Sequence, residues 1–449
     1  DSWEVVRDFG DVRTARAWPR TLRRRVDYQI LRWQARLDGA WADRVLPLGA
    51  TLGLFVVLAA MALARARSLE TGHDLATWVQ GAWLVTTGRP AESTITDQHL
   101  LERRFAVGFV AIAQLTRLVA PIPLLVVAQA AALSLGVGAV WRLCRQVCAL
   151  RVGAATAAIV AYAAHPAIHQ LNLADVHPEA FGLPALLWGA YLAMRGRWIP
   201  AAALCVVAMS MGSWLGLAVA AIGLGMVLTD RSRGGAALAI GGLAWVAVAQ
   251  LVVQPWIGDG TFVHQAAFAR YGSDGPAVLW GMATAPWTVV GDLVARENFV
   301  VLVGLLAPVA FLPVLAPRRL LPFAPALALP MIADVPIAGA EGVEMLVAAV
   351  AGLFLALPFA LQQIGRRNIE RVTVDRRVLV ALALASVTFF VLDAPSSPYA
   401  HPWEWGARDA ADGMRLDVIA GLPDDARVRT APTLAAEMAE RAVIRPVPT

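Results

Sequence analysis

Two stretches of this 449-residue sequence set acids, histidines and arginines side by side at the edges of long apolar runs. The first is 72–104. It opens on Gly72-His73-Asp74 and continues through Trp78, Gln80 and Trp83 to Asp97, His99, Glu102, Arg103 and Arg104. A carboxylate beside a partly dry cavity can have a raised pKa and take a proton from a hydroxyl. Asp74, next to His73, is therefore the expected general base. Guanidinium groups pair bidentately with phosphate oxygens, which suits Arg103 and Arg104 to a phosphorylated ligand; the other reading of both is snorkelling at a membrane interface.

The second stretch is 165–179: His165-Pro166-Ala167-Ile168-His169, then Asn172, then Asp175-Val176-His177-Pro178-Glu179. If 174–178 is extended, alternation places Asp175, His177 and Glu179 on one side. Carboxylates with an imidazole can ligate a divalent cation such as Mg or Mn, which would clamp the phosphate of a lipid donor. Equally, Asp175 can orient His177 while Pro178 and Glu179 start the next helix in the sense its dipole favours. The residues alone leave both readings open.

The elements that must position these groups are apolar helices. With 58% hydrophobic and 16% charged residues, the chain is too apolar for an ordinary soluble enzyme. The apolar blocks run about 17 to 23 residues, enough to cross a bilayer core of roughly 30 Å. The ten-residue alternation of an outer-membrane barrel is absent. The expected fold class is an all-α polytopic membrane protein. The net charge of +5 is carried entirely by arginine. These arginines sit beside the apolar blocks, where they orient membrane helices, so a nucleic-acid partner is not expected.

Residues 1–44 mix arginines with Trp18, Tyr28 and Trp33. They read as cytoplasmic amphipathic helices, held either by anionic membrane lipids or against the protein's own cytoplasmic loops. The first span is 46–64 and the first outer loop 68–121, within which 105–119 lies along the surface. The arginine-rich turns at 142–151, 195–197, 231–233, 318–319 and 366–377 then fall inside. This gives about 11 transmembrane helices within 45–393, a cytoplasmic N-terminus, and an extracytoplasmic segment 394–449. All seven histidines fall on the outer side or its boundary, which points to a polar cavity there. In the tail, 407–419 has helical periodicity, and 426–430 and 442–447 read as strands around a helix at 434–441. This is a small α/β element too short to hold its own core. Cys144, Cys148 and Cys205 lack the further ligands of a zinc site and read as helix residues. About 44 polar residues precede the first span, so no cleavable signal peptide is expected; the lack of an initial Met suggests a start inside a longer product.

The run Asp74-Leu75, Gln80 and Trp83, then His99, Gln129 and Asp175-Val176-His177-Pro178-Glu179, resembles the DUF2079 family of polytopic membrane proteins, similar in layout to the GT-C glycosyltransferases. The tail Leu422-Pro423-Asp424-Asp425-Ala426-Arg427-Val428, closing in Arg441 and Pro446, fits the same pattern, so the resemblance covers roughly 45–449. It implies a polyprenyl-phosphate-linked sugar as donor and a lipid groove among the helices. Asp74 would hold the base position and Arg103 and Arg104 the donor phosphate. His73, Gln80, His99, Asp175, His177 and Glu179 are the accompanying substrate-binding candidates. Two positions depart from the family pattern: Val79 stands where a second acid is usual, and Gly212-Ser213-Trp214 where a Lys-Glu-Asp string is usual.

The expected function is transfer of a sugar from a polyprenyl-phosphate donor to a cell-envelope acceptor on the outer face of a bacterial-type plasma (inner) membrane. The two departures motivate an alternative, a catalytically degenerate GT-C-like scaffold or lipid-binding subunit of an envelope complex, with a protein partner. A transporter fits less well, because transporters hold charges near the bilayer midplane and this chain gathers them at helix ends.

Overall fold

The computed structural model describes residues 38–258, 264–333, 342–368, 370–399 and 405–447, with the single positions 25 and 29. The amphipathic helices expected in 1–44 therefore fall almost wholly outside the described residues, as does His401.

Apolar composition writes the architecture. Helix α1 (Ala42–Arg67) is followed by α2 (His73–Thr86), a two-stranded antiparallel hairpin β1 (Glu92–Ser93) and β2 (Gln98–His99), and the short helices α3 (Leu100–Arg103) and α4 (Phe109–Leu115). Then come α5 (Pro121–Arg142), α6 (Val152–Ala163), α7 (Pro166–Leu173), α8 (Pro178–Met194), α9 (Trp198–Ser210), α10 (Leu215–Asp230) and α11 (Arg233–Val248). After α12 (Gln254–Ile257), the expected loop 258–297 contains α13 (Gly275–Thr284) and α14 (Pro286–Leu293). The chain continues through α15 (Arg296–Leu306), α16 (Pro317–Leu320), α17 (Ala324–Ile332), α18 (Gly342–Ile364), the antiparallel hairpin β3 (Arg366–Asn368) and β4 (Arg371–Thr373), and α19 (Arg376–Asp393). The tail carries α20 (Ala410–Ala420) and the parallel pair β5 (Val428–Thr430) and β6 (Ile444–Pro446). Between those strands lie two 3₁₀ turns, Pro432–Leu434 and Ala436–Met438, where an α-helix was expected.

Among the described residues four helical stretches are long and apolar enough to cross a membrane: Ala42–Arg67, Pro121–Val147, Arg233–Ile257 and Met345–Ile364. Helices α6, α9 and α10 have 12, 13 and 16 residues, short of the roughly 20 that a bilayer core requires. The segment 105–119 forms only the seven residues of α4, too few to span.

The core centres on α18, whose Val347, Val350, Phe354 and Leu357 are fully buried against α8 and α16. Opposite, α1 presents Val45, Leu48, Leu52 and Val56 outward, as a lipid-facing helix does. Helices α10 and α11 approach closely through Gly216, Gly223, Gly235 and Gly242; a Cβ on Gly223 or Gly242 would collide with the partner backbone.

At one end of the bundle, buried Arg145 donates from Nε to Asp43 at 2.6 Å and from Nη1 to the Leu150 carbonyl at 2.8 Å, and also meets Asp38. Trp141 Nε1 donates to the same Asp43 carboxylate at 3.1 Å. The sequence reading takes the arginines of such turns only as charges that orient helices; here one is the buried hub joining α1, α5 and β4. The candidate site lies at the other end.

Candidate functional site

Helix α2 starts at His73 because Gly72, in extended backbone, breaks from the turn after α1. Asp74 occupies the first helical turn, where a negative charge complements the helix dipole. The buried face of α2 is Leu75, Ala76, Trp78, Val79 and Ala82, which leaves Asp74 and Thr77 beside a cavity. The β1–β2 hairpin returns the chain across that cavity with Asp97 at its positive-φ turn. His99 then caps α3, its Nδ1 accepting from the Leu101 N–H at 3.2 Å.

The cavity has a volume of about 440 Å³ and its wall includes His73, Asp74, Trp78, Gln98, His99 and Arg104. Arg104 is its electrostatic centre. The guanidinium donates from Nη2 to Asp74 Oδ1 at 3.1 Å and from Nη1 to His177 Nδ1 at 3.0 Å. Glu179 Oε2 lies 3.8 Å from Nη1, and the Trp78 ring centroid 5.9 Å from Cζ. Because His177 Nδ1 accepts from Arg104, the imidazole proton sits on Nε2, which donates to the Ala174 carbonyl at 3.1 Å. Burial, with Arg104 adding to it, pulls the His177 pKa down to about 4 against the opposing Asp74 charge, so the ring is neutral.

Burial pushes the Asp74 carboxyl up, but the positive charge around it, led by the Arg104 guanidinium that also hydrogen-bonds it, outweighs burial and leaves the pKa below the ordinary carboxylate value. The raised pKa expected of this acid is therefore reversed. Asp74 in this structure is an ionised carboxylate held by a guanidinium.

The turn between α7 and α8 also departs from expectation. Residues 174–178 do not alternate as a strand: Pro166 starts α7, Ala174 ends it, and Asp175 turns the chain at φ +94°. Asp175 consequently faces the end of α1, where its Oδ1 accepts from the Gly72 N–H at 2.9 Å and lies 3.4 Å from Arg65 Nη1. Arg65 also donates to the Leu173 carbonyl. Burial raises the Asp175 pKa even against those donors. His177 and Glu179 meet Arg104 instead. Gln129 on α5 brackets the turn, accepting from the His177 N–H at 2.7 Å and donating to the Asp175 carbonyl at 2.8 Å.

The expected metal set Asp175, His177 and Glu179 thus diverges, and a guanidinium fills the space between Asp74, His177 and Glu179 that a cation would take. Among the described residues no three His, Cys, Asp or Glu side chains are placed to hold a metal ion. The residues present do not fit a divalent cation.

Of the other candidates, His73 and His99 line the cavity with Asp74 and Arg104. Gln80 does not. It is fully buried, donating to Thr94 Oγ1 at 2.9 Å and to the Arg441 carbonyl at 3.1 Å while accepting from Ser93 Oγ at 2.8 Å. It is a clamp between the first loop and the tail. The Arg103 side chain lies outside the described part of the structure. Sequence reading missed Trp78 as cavity wall, although its place one helical turn after Asp74 puts the two on one face.

The matched family model covers residues 65–449 and is described as a predicted membrane protein (DUF2079). The chain belongs to the DUF2079 family. Its match begins about 20 residues later than the resemblance suggests, leaving most of α1 outside. Among solved structures the chain is similar to ArnT from Cupriavidus metallidurans, in a crystal structure bound to undecaprenyl phosphate. The TM-score is 0.54 at 13% identity, over 91% of this chain and 86% of that one. The shared feature is the fold. Among curated proteins none matches.

Proposed function

We propose that this DUF2079 protein is a membrane glycosyltransferase that moves a sugar from a polyprenyl-phosphate donor to a cell-envelope acceptor. The cavity faces the outer side of a bacterial-type plasma membrane in a chain of about 11 crossings with its N-terminus cytoplasmic. The observation that carries the reading is the Asp74–Arg104 pair, 3.1 Å apart on the wall of one cavity. A base and a phosphate-binding cation are the two groups such a transfer needs. ArnT, whose fold the chain shares, binds a lipid phosphate of the proposed donor class.

In the proposed reaction Asp74 takes the proton of the acceptor hydroxyl. The acceptor oxygen forms a bond to the anomeric carbon, and the bond from that carbon to the phosphate oxygen breaks. The lipid phosphate leaves with the electron pair and gains one negative charge, which Arg104 offsets. No metal is invoked, since the guanidinium supplies the positive charge. Arg104 also explains how so acidic a carboxylate can act as a base. When the donor phosphate draws the guanidinium towards itself, Asp74 loses its strongest partner and its proton affinity rises while it stays buried.

A second reading, a non-catalytic scaffold or lipid-binding subunit of an envelope complex, is favoured by Ser213. This residue stands in the usual Lys-Glu-Asp string, yet it is fully buried and accepts from Gln250 at 2.9 Å, adding no charge to the site. Transfer assays in lipid vesicles separate the two. Purified chain with a polyprenyl-phosphate sugar is expected to turn over, and Asp74→Asn to lower the rate by about 10² to 10⁴. Full activity in Asp74→Asn would sink the base assignment. No turnover by the intact chain across a panel of donors would favour the scaffold.

A further inference from the structure

A second cavity, of about 340 Å³, lies where the end of α1 and the start of α5 meet the tail. Its wall includes Leu63 and Arg67 of α1, Ile122 of α5, and Arg408, Glu437 and Glu440 of the tail. We propose that this cavity binds the headgroup of a zwitterionic phospholipid with a primary amine, of the phosphoethanolamine type, its phosphate on Arg67 and Arg408 and its ammonium on Glu437 and Glu440.

Three observations converge. First, the cavity is lined by two arginines and two glutamates that are not spent on one another. Among the described residues none of the four makes an ion pair within 4.0 Å. Arg408 is held in place by donating from Nε to the Arg67 carbonyl at 2.9 Å. Second, the remaining wall is apolar, and exposed apolar side chains adjoin it. Leu63 is 38% exposed on it, and Leu118 and Val119, just before α5, are 82% and 51% exposed. Third, the position is the end of a helix long enough to cross a bilayer, the depth at which headgroups lie.

The charge pattern selects the occupant. A plain anion would meet the two glutamates, and a plain cation the two arginines, so each leaves half the cavity opposed. A ligand bearing both signs next to an apolar body satisfies every wall. Burial raises the pKa of both carboxyls, with Asp424 raising Glu440 further and Arg408 relieving only Glu437, so an added ammonium would meet carboxylates short of positive charge. A primary ammonium also offers three N–H donors to those carboxylates, where a choline headgroup offers none.

The test is native mass spectrometry of the full chain in detergent with equimolar phosphatidylethanolamine, its mono- and dimethyl derivatives, phosphatidylcholine and phosphatidylglycerol. Retention is expected to fall with each methyl group. The unmethylated lipid should exceed the choline and glycerol lipids about tenfold, the size of one lost charge-assisted hydrogen bond. Glu437→Gln with Glu440→Gln should erase the preference for ethanolamine over choline, and Arg67→Gln should weaken all the phospholipids. Equal retention across the methyl series, or a preference for the glycerol lipid, overturns the proposal with no variant needed. An ethanolamine preference that survives the double glutamate variant overturns this placement.

Discussion

The Gly72 backbone N–H donates to the Asp175 carboxylate at 2.9 Å, and a Cβ on Gly72 would collide with that same carboxylate. One contact therefore fixes the start of α2 to the α7–α8 turn: the backbone two residues before Asp74 is tied to a side chain 103 positions beyond Gly72. Asp175 is itself held at φ +94°, a conformation that L-residues keep only when their surroundings impose it. Gly72→Ala is expected to displace the carboxylate and destabilise the protein by about 1–3 kcal/mol. Thermal unfolding in detergent checks this; an unchanged midpoint would mean that the turn yields freely.

Arg104 is the second test of the same assembly. Arg104→Gln strands Asp74 and the fully buried Glu179, so a loss of about 3–5 kcal/mol is expected, the cost of breaking a buried pair by removing one partner. Pairing Arg104→Gln with Glu179→Gln removes a stranded charge and should recover part of that stability without restoring transfer. Recovery of both would place Arg104 in the fold alone.

The neutral His177 gives a pH dependence whose sign is fixed. Its folded pKa, about 4, lies below the ordinary 6.5, so between those values the unfolded chain binds the proton and the folded one does not. Stability is complete above about pH 6.5 and falls as pH drops towards 4, by on the order of 3 kcal/mol. Protonation there would set an imidazolium against Arg104, with only Asp74 and Glu179 to offset it. His177→Gln should flatten this part of the stability–pH curve, read by chemical denaturation at stepped pH. An identical slope in the variant would assign the dependence to other groups.

Gln80 makes a prediction free of chemistry. Gln80→Ala removes the bonds to Ser93, Thr94 and the Arg441 carbonyl, and leaves buried groups without partners at about 1–3 kcal/mol each. Hydrogen exchange is expected to quicken in β1 and in 428–446 while α18 stays protected. Uniform exchange across the chain would contradict a local clamp.

These residues also show how far the sequence could be read. The apolar blocks and the gathering of His73, Asp74, His99 and Arg104 were legible, because burial follows hydropathy and these groups crowd one loop. The partner of Asp74 was not. Nothing in sequence spacing says that Arg104, 30 residues on, folds back to lower the very pKa that burial alone would raise. The expected alternation of Asp175, His177 and Glu179 broke on one backbone angle, since alternation needs extended residues and Asp175 turns. Gln80 stood among the substrate-binding candidates because one of its partners, the Arg441 carbonyl, lies 361 residues away, and Arg145 read only as an orienting inside charge because Asp38 and Asp43 are reached only through packing.

The clamp from Gln80 to the tail also carries a statement about time. At about 5–20 residues per second of synthesis, the carbonyl that Gln80 needs is made roughly 20 to 70 seconds after Gln80 itself. Until then the hairpin that walls the cavity has only its bonds from Ser93 and Thr94 to Gln80 and no tie to the tail, although most helices of the bundle already exist. The tie between hairpin and tail is made last, and a chain halted shortly before Arg441 would carry its helices and the Asp74–Arg104 pair without that tie behind the cavity wall.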